Sequence, residues 1–175
     1  MEPARIRIGM ADIGDAPLIA DLSRRTFIDT FGPHNSRENM DQFLRLQFSR
    51  EKLIDQVGAL RNTFLLAWMD DKVSGYARLY ESTDLPPALA GTKAMEISRL
   101  YTEKDVIGKG VGRALMDACC HFARENGKEW IWLGVWEHNR RAIAFYEKMG
   151  FTIFDRHIFL LGQDLQYDWS MKKKL

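Results

Sequence analysis

Between Ala94 and Met171 the chain alternates between strand-like and helix-like hydrophobic patterns, and this restricts the fold more than any other property of the sequence. Ala94 to Tyr101 is an apolar strand candidate. Gly110 to Asn126 sets Leu115, Met116, Cys119, Phe122 and Ala123 on one helical stripe, with Gly127 as its C-terminal cap. Trp130 to Trp136 then reads as an apolar strand and Asn139 to Met149 as a short helix, while Phe151 to Leu161 and Gln166 to Met171 form a closing strand pair. The order is β–loop–α–β–α–β–β. It predicts an α/β fold, a mixed sheet covered by helices, with ligands at the carboxyl ends of the central strands.

The first half adds to the same sheet. Arg5 to Ile8 is a short strand, and Asp12 opens a helix whose stripe is Leu18, Ile19, Leu22 and Phe27. Helices are expected over Ser36 to Phe48 and Arg50 to Leu60. Phe64 to Met69 and Val73 to Tyr80 flank the turn-compatible Asp70-Asp71, an antiparallel hairpin. Ser82 to Thr92, with Pro86, Pro87 and Gly91, is the one long loop. With 175 residues, 46% of them hydrophobic, a single domain over residues 1–175 is expected.

Charge narrows the partners. Lysine and arginine number 25 against 24 aspartates and glutamates, so a net +1 supplies no field for nucleic acid phosphates. Lys172-Lys173-Lys174 reads as a solvated chain end. No window nears the ~18 apolar residues a membrane span needs, and the charged first seven residues do not form a secretory signal. Cys119 and Cys120, adjacent in sequence, cannot form an ordinary disulfide. A cytoplasmic location is expected. The histidines at 34, 121, 138 and 157 fall at no metal-ligand spacing, so no metal is expected. Oligomeric state is left open, a homodimer among the options.

The candidate binding loop lies between the strand ending near Thr102 and the helix beginning near Gly110. In Ile107-Gly108-Lys109-Gly110-Val111-Gly112-Arg113, alternate glycines let the backbone approach a ligand, and the helix start offers unpaired amides and a positive dipole. The loop suits a phosphate. It is not a P-loop, which needs G-x-x-x-x-G-K-[ST], nor a dinucleotide fingerprint, which needs glycine where Arg113 stands. A tight turn that only permits close helix packing is the plain alternative.

A second constellation follows in Asn139-Arg140-Arg141-Ala142-Ile143-Ala144-Phe145-Tyr146-Glu147-Lys148-Met149-Gly150-Phe151. Together the two resemble the GNAT acetyltransferase superfamily. Gly110 and Gly112 match its Q/R-x-x-G-x-G/A motif, and Asn139, Ala142, Phe145, Tyr146, Gly150 and Phe151 match its N-x-x-A-x-x-F/L-Y-x-x-x-G-F motif. One departure is Ile107, where the motif has a polar residue; Lys109 or Arg113 would supply charge instead. The resemblance implies a single GNAT domain with splayed central strands, and acetyl-CoA as co-substrate for transfer to a primary amine. It implies pyrophosphate on the amides of Gly108, Lys109, Gly110, Val111, Gly112 and Arg113, and pantetheine along Leu100, Tyr101 and Thr102. Asn139 would cap its helix and contact pantetheine.

The chemistry then needs two proton movements. An alkylamine with a pKa around 10.4 must lose a proton before attack, and the resemblance points to Glu96 as base. Tyr146 would give a proton to the leaving thiolate. The bland readings are a strand glutamate in a salt bridge and a tyrosine packed in the core. A finer resemblance runs through Thr26-Phe27-x-x-Thr30-Phe31-Gly32, Glu96-Ile97-Ser98-Arg99-Leu100-Tyr101, Trp132 to Glu137 and His157-x-Phe159-x-x-Gly162-x-Asp164-x-Gln166-x-Asp168. These are similar to bacterial Pai-type spermidine/spermine acetyltransferases, which implies a small, polyamine-like acceptor. Asp29, Glu81 and Asp84 are candidate acids for its mouth if their loops fold inward. Peptide or protein acetylation, and a regulator that binds acyl-CoA without turnover, are the alternatives.

Overall fold

Asp70 takes a left-handed φ of 55°, and around it β2 (Asn62–Met69) folds back antiparallel on β3 (Lys72–Tyr80). This is the expected hairpin, in a computed structural model that describes residues 4–175. The strand β1 (Ile6–Met10) adds to the outer edge of β2. On the other side follow β4 (Ala94–Thr102), β5 (Trp130–Trp136), β7 (Asp164–Lys174) and β6 (Thr152–Leu161), a seven-stranded mixed sheet of order β1-β2-β3-β4-β5-β7-β6. Among the described residues only β4 and β5 pair in parallel.

Helices cover both faces because the strands alternate. On one face Leu65, Ala77, Met95, Ile97, Ile131 and Leu133 meet α4 (Val111–Glu125), whose buried stripe is Leu115, Met116, Cys119 and Ala123. The shorter α5 (Arg140–Lys148) packs there too, through Ala142, Ile143, Phe145 and Tyr146. On the opposite face α1 (Ala16–Phe31) sets Ile19 and Leu22 on Phe64, Leu66 and Tyr76. There α2 (Arg37–Leu46) and α3 (Arg50–Gln56) enclose Phe27, whose ring lies 4.8 Å from Phe43 and 4.9 Å from Phe48. Burying such rings is the largest single contribution a small core has, about 1.5–3 kcal/mol for each large side chain.

The structure moves several boundaries. Asp12 caps a short 3-10 turn, Ile13–Asp15, instead of α1, accepting from the Gly14 amide at 2.7 Å while the Asp15 carboxylate accepts from the Asp12 amide at 2.9 Å. Leu18 is 41% exposed, because the buried stripe of α1 runs through Ile19, Leu22, Thr26 and Phe27, one residue further round. α3 stops at Gln56 instead of Leu60, since Val57 is extended and Gly58 takes φ 83°. Lys172-Lys173-Lys174 is not a loose end. It belongs to β7 and pairs with Trp132, Ile131 and Trp130. Strand pairing uses only backbone groups, and the Lys172 stem lies along apolar surface, its Nζ 4.9 Å from the Trp130 ring.

Candidate active site

The two parallel strands separate at their carboxyl ends. β4 and β5 are in register from Ala94–Trp130 to Ile97–Leu133 and no further. Beyond that point β4 follows β3, with Arg99 opposite Arg78, Leu100 opposite Ala77, Tyr101 opposite Tyr76 and Thr102 opposite Gly75. β5 follows β7, with Gly134 opposite Ser170 and Trp136 opposite Asp168. A shift in register leaves Ser98 as an extra residue in β4, a bulge that bends the strand away where the split begins. Leu100, Tyr101 and Thr102 thus lie along an open edge whose backbone groups need a partner. Gly75 holds this strand end close to α4. A Cβ there would stand 2.8 Å from the Tyr101 carbonyl oxygen and 3.2 Å from Leu115.

The glycine loop closes the same end of the sheet. Gly108 and Gly110 take φ of 82° and 92°, a region that favours glycine, and Gly110 occupies the N-cap of α4 with no side-chain cap on the helix. The amides of Val111, Gly112 and Arg113 are first-turn donors without intrahelical acceptors. Lys109 differs: its amide donates to the Val106 carbonyl at 3.1 Å, leaving only its exposed side chain for a ligand. Val111 is fully buried and anchors the turn, whereas Arg113 is exposed, 3.9 Å from Asp117. A Cβ on Gly112 would face Phe145 at 3.8 Å and Thr102 at 3.9 Å, so the loop opens toward the end of β4. A strand edge continuous with a ring of free amides fits an elongated ligand that ends in a phosphate.

Asn139 caps α5, its Oδ1 accepting from the Ala142 amide at 3.2 Å. Tyr146 is buried beside Phe145 and Phe151, and burial, then Cys119, pushes its hydroxyl up to about 12. Tyr101 is raised further, by burial first and then by Tyr76 and Tyr146, so several phenols share this end of the split.

A second group of polar residues lies on the sheet face opposite α4. Glu96 lies half-buried on it, opposite Tyr80 on β3 and Trp132 on β5. Burial raises its carboxyl above the usual range while Arg78 and Arg99 pull it back. Neither arginine closes an ion pair with it among the described residues. Arg78 donates to Asn62 Oδ1 at 2.7 Å, and Arg99 donates to Gln56 Oε1 at 2.8 Å and lies over Phe48. The salt-bridged strand glutamate considered from the sequence is not what the fold builds. Glu81 binds Lys128 and is neutralised, and Asp29 and Asp84 are exposed. The carboxylates the fold brings to this face are instead Glu96 and Asp168. Burial pushes Asp168 up to about 6, against the opposing pull of His157. Sequence reasoning quoted Asp168 and His157 without giving them a role. The usable signal was parity, since Trp132, Gly134 and Trp136 alternate with the core residues Ile131, Leu133 and Val135.

Comparison with known proteins identifies the family and the fold. Residues 19–151 match the acetyltransferase (GNAT) family. An uncharacterised N-acetyltransferase of Lactobacillus delbrueckii subsp. lactis is 37% identical over 97% of this chain and 98% of its own length. The spermidine N(1)-acetyltransferase of Thermoplasma acidophilum is 25% identical over 86% of this chain and 90% of its own. Among solved structures, the PaiA N-acetyltransferase of Thermoplasma acidophilum in complex with coenzyme A superposes with a TM-score of 0.78 at 24% identity, covering 98% of this chain and 99% of that one.

Proposed function

The chain belongs to the GNAT family and is an acetyl-CoA-dependent N-acetyltransferase, and from that premise we propose that its acceptor is a small alkyl polyamine whose reacting nitrogen is deprotonated through Glu96. The carrying observation is a split between β4 and β5 whose acceptor side holds half-buried carboxylates. Carboxylates that burial has cost part of their hydration favour a cationic partner. The Thermoplasma relative named for spermidine supports the same substrate class.

Acetyl-CoA supplies the acyl group as a thioester. The amides of Gly108 to Arg113, apart from Lys109, hold its phosphates, and the open edge of Leu100 to Thr102 orients the arm as an added strand would. Glu96 takes the ammonium proton at its carboxylate, directly or through water. Because its carboxyl is raised by burial, the basic form is lost as pH falls through a value above that of an ordinary glutamate, and the rate falls on that acid side. The Tyr146 hydroxyl offers its proton toward the leaving sulfur.

The test is coenzyme A release with 1,4-diaminobutane, spermidine and spermine against lysine-containing peptides. We expect kcat/KM for the polyamines at least ~tenfold above the peptides, equivalent to ~1.4 kcal/mol. Preference for peptides would overturn the polyamine reading, and no release with any acceptor would mean binding without turnover.

A further inference from the structure

Asp168 is the acceptor-face carboxylate with the least compensation. Glu137, next to it in space but with the parity of the α4 side, is clasped by Arg156, whose Nη2 lies 2.7 Å from Oε2. Glu96 has Arg78 and Arg99 near it. Asp168 has neither lysine nor arginine within ion-pair reach among the described residues; its one basic neighbour is His157, with Nε2 at 3.8 Å, too long for a hydrogen bond. His157 is itself oriented, with Nδ1 3.0 Å from Ser170 Oγ. Its ring approaches β5 closely because residue 134 is glycine. A Cβ there would stand 3.0 Å from His157 Cε1 and 3.6 Å from Asp168 Oδ2.

The surroundings suit a cation. Asp168 is opposite Trp136 in the β5–β7 register, and that indole closes on Phe31 at 6.1 Å and His34 at 5.4 Å, from the end of α1 and the turn after it. A carboxylate beside an electron-rich ring face is the usual recognition chemistry for an alkylammonium. Strand spacing puts Asp168 on the order of 15 Å from Glu96, four residues further along and two strands away. One nitrogen cannot reach both. A chain with amines at its two ends can.

Resting on the polyamine reading above, we propose that Asp168, flanked by His157 and framed by Trp136, is the specificity residue that anchors the acceptor's distal ammonium while the other end reacts near Glu96. Asp168 is then a binding group for the second charge and takes no proton from the reacting nitrogen. It is the length and charge gauge of the site.

The experiment compares spermidine with n-butylamine, which has no second ammonium, in the wild type, Asp168→Asn and Asp168→Glu. Asparagine keeps the shape and removes the charge. We expect KM for spermidine to rise ~10–100-fold in Asp168→Asn with kcat little changed, KM for n-butylamine to stay within about twofold, and Asp168→Glu to recover part of the loss. Calorimetric titration of spermidine into the protein with coenzyme A should show the same loss of affinity. An unchanged spermidine KM overturns the proposal, as does a fall in kcat for both amines at unchanged KM, which would make Asp168 the base. Equal KM increases for both amines would make its role structural and also overturn it. A wild type that acetylates peptides but no alkylamine removes the polyamine reading, and this inference with it.

Discussion

Tyr146 keeps its proton across the whole working range, because burial and then Cys119 hold its hydroxyl up at about 12. A phenol of that kind is available as a donor at neutral pH and cannot set an alkaline limb there. Tyr146→Phe keeps the ring between Phe145 and Phe151 and deletes only the proton. We expect kcat to fall, at the lower end of the ~10²–10⁴-fold typical of general acids or beneath it because a thiolate is a weakly basic leaving group, with acetyl-CoA affinity unchanged. A kcat within about twofold of wild type would leave the residue as core packing. The linkage has a definite sign. A folded-state value above the unfolded one means stability is intact below about pH 10 and is lost as pH rises toward about 12, so the phenylalanine variant should lose less stability across that alkaline window. At this scale the sequence nominated Tyr146 and Glu96 and gave Asp168 no role, because the neighbours of Asp168, His157 and Trp136, come from other stretches of chain.

The glycine loop and α4 act as one element. Gly110 has room for a Cβ, its nearest neighbour being Ile6 Cδ1 at 3.5 Å, so the constraint is its φ of 92°. Valine in that conformation is strained by roughly 1–2 kcal/mol, and it turns the first amides of α4 away from a shared target. Gly110→Val should weaken acetyl-CoA binding at least ~tenfold by calorimetry, ~1.4 kcal/mol, with the far-ultraviolet spectrum intact. Unchanged affinity would separate the loop from the cofactor. Elements were legible where periodicity was long. α4 and β5 lie where their patterns placed them, with Gly127 at φ 67° just past the helix. The tri-lysine segment was misread because polar residues show no strand period, although their backbone pairs fully with β5.

For the whole molecule, the β6–β7 hairpin fastens the last strands to the first helices. Gly162 turns at φ 64° against the start of α2, where a Cβ would come within 2.7 Å of Asn39 Cα, and the Gln163 amide donates to Asn39 Oδ1 at 3.0 Å. Gln166 Nε2 donates to Asn35 Oδ1 at 2.6 Å. Gly162→Ala combines a left-handed conformation with a backbone clash, so it should cost about 2–4 kcal/mol by urea unfolding and raise the KM for amines, since the same hairpin carries His157 and Asp168. A loss below about 0.5 kcal/mol would mean the tip is free to move away. By itself the sequence determined the α/β class, the glycine turn before α4, and the two motifs that mark cofactor chemistry, since each depends on residues close together in the chain. The tertiary structure alone decided where β4 leaves β5, which carboxylates share the acceptor face, and that Asp168 has no lysine or arginine partner among the described residues. Those depend on register between strands distant in sequence, and a shift of one residue would turn every side chain to the other face.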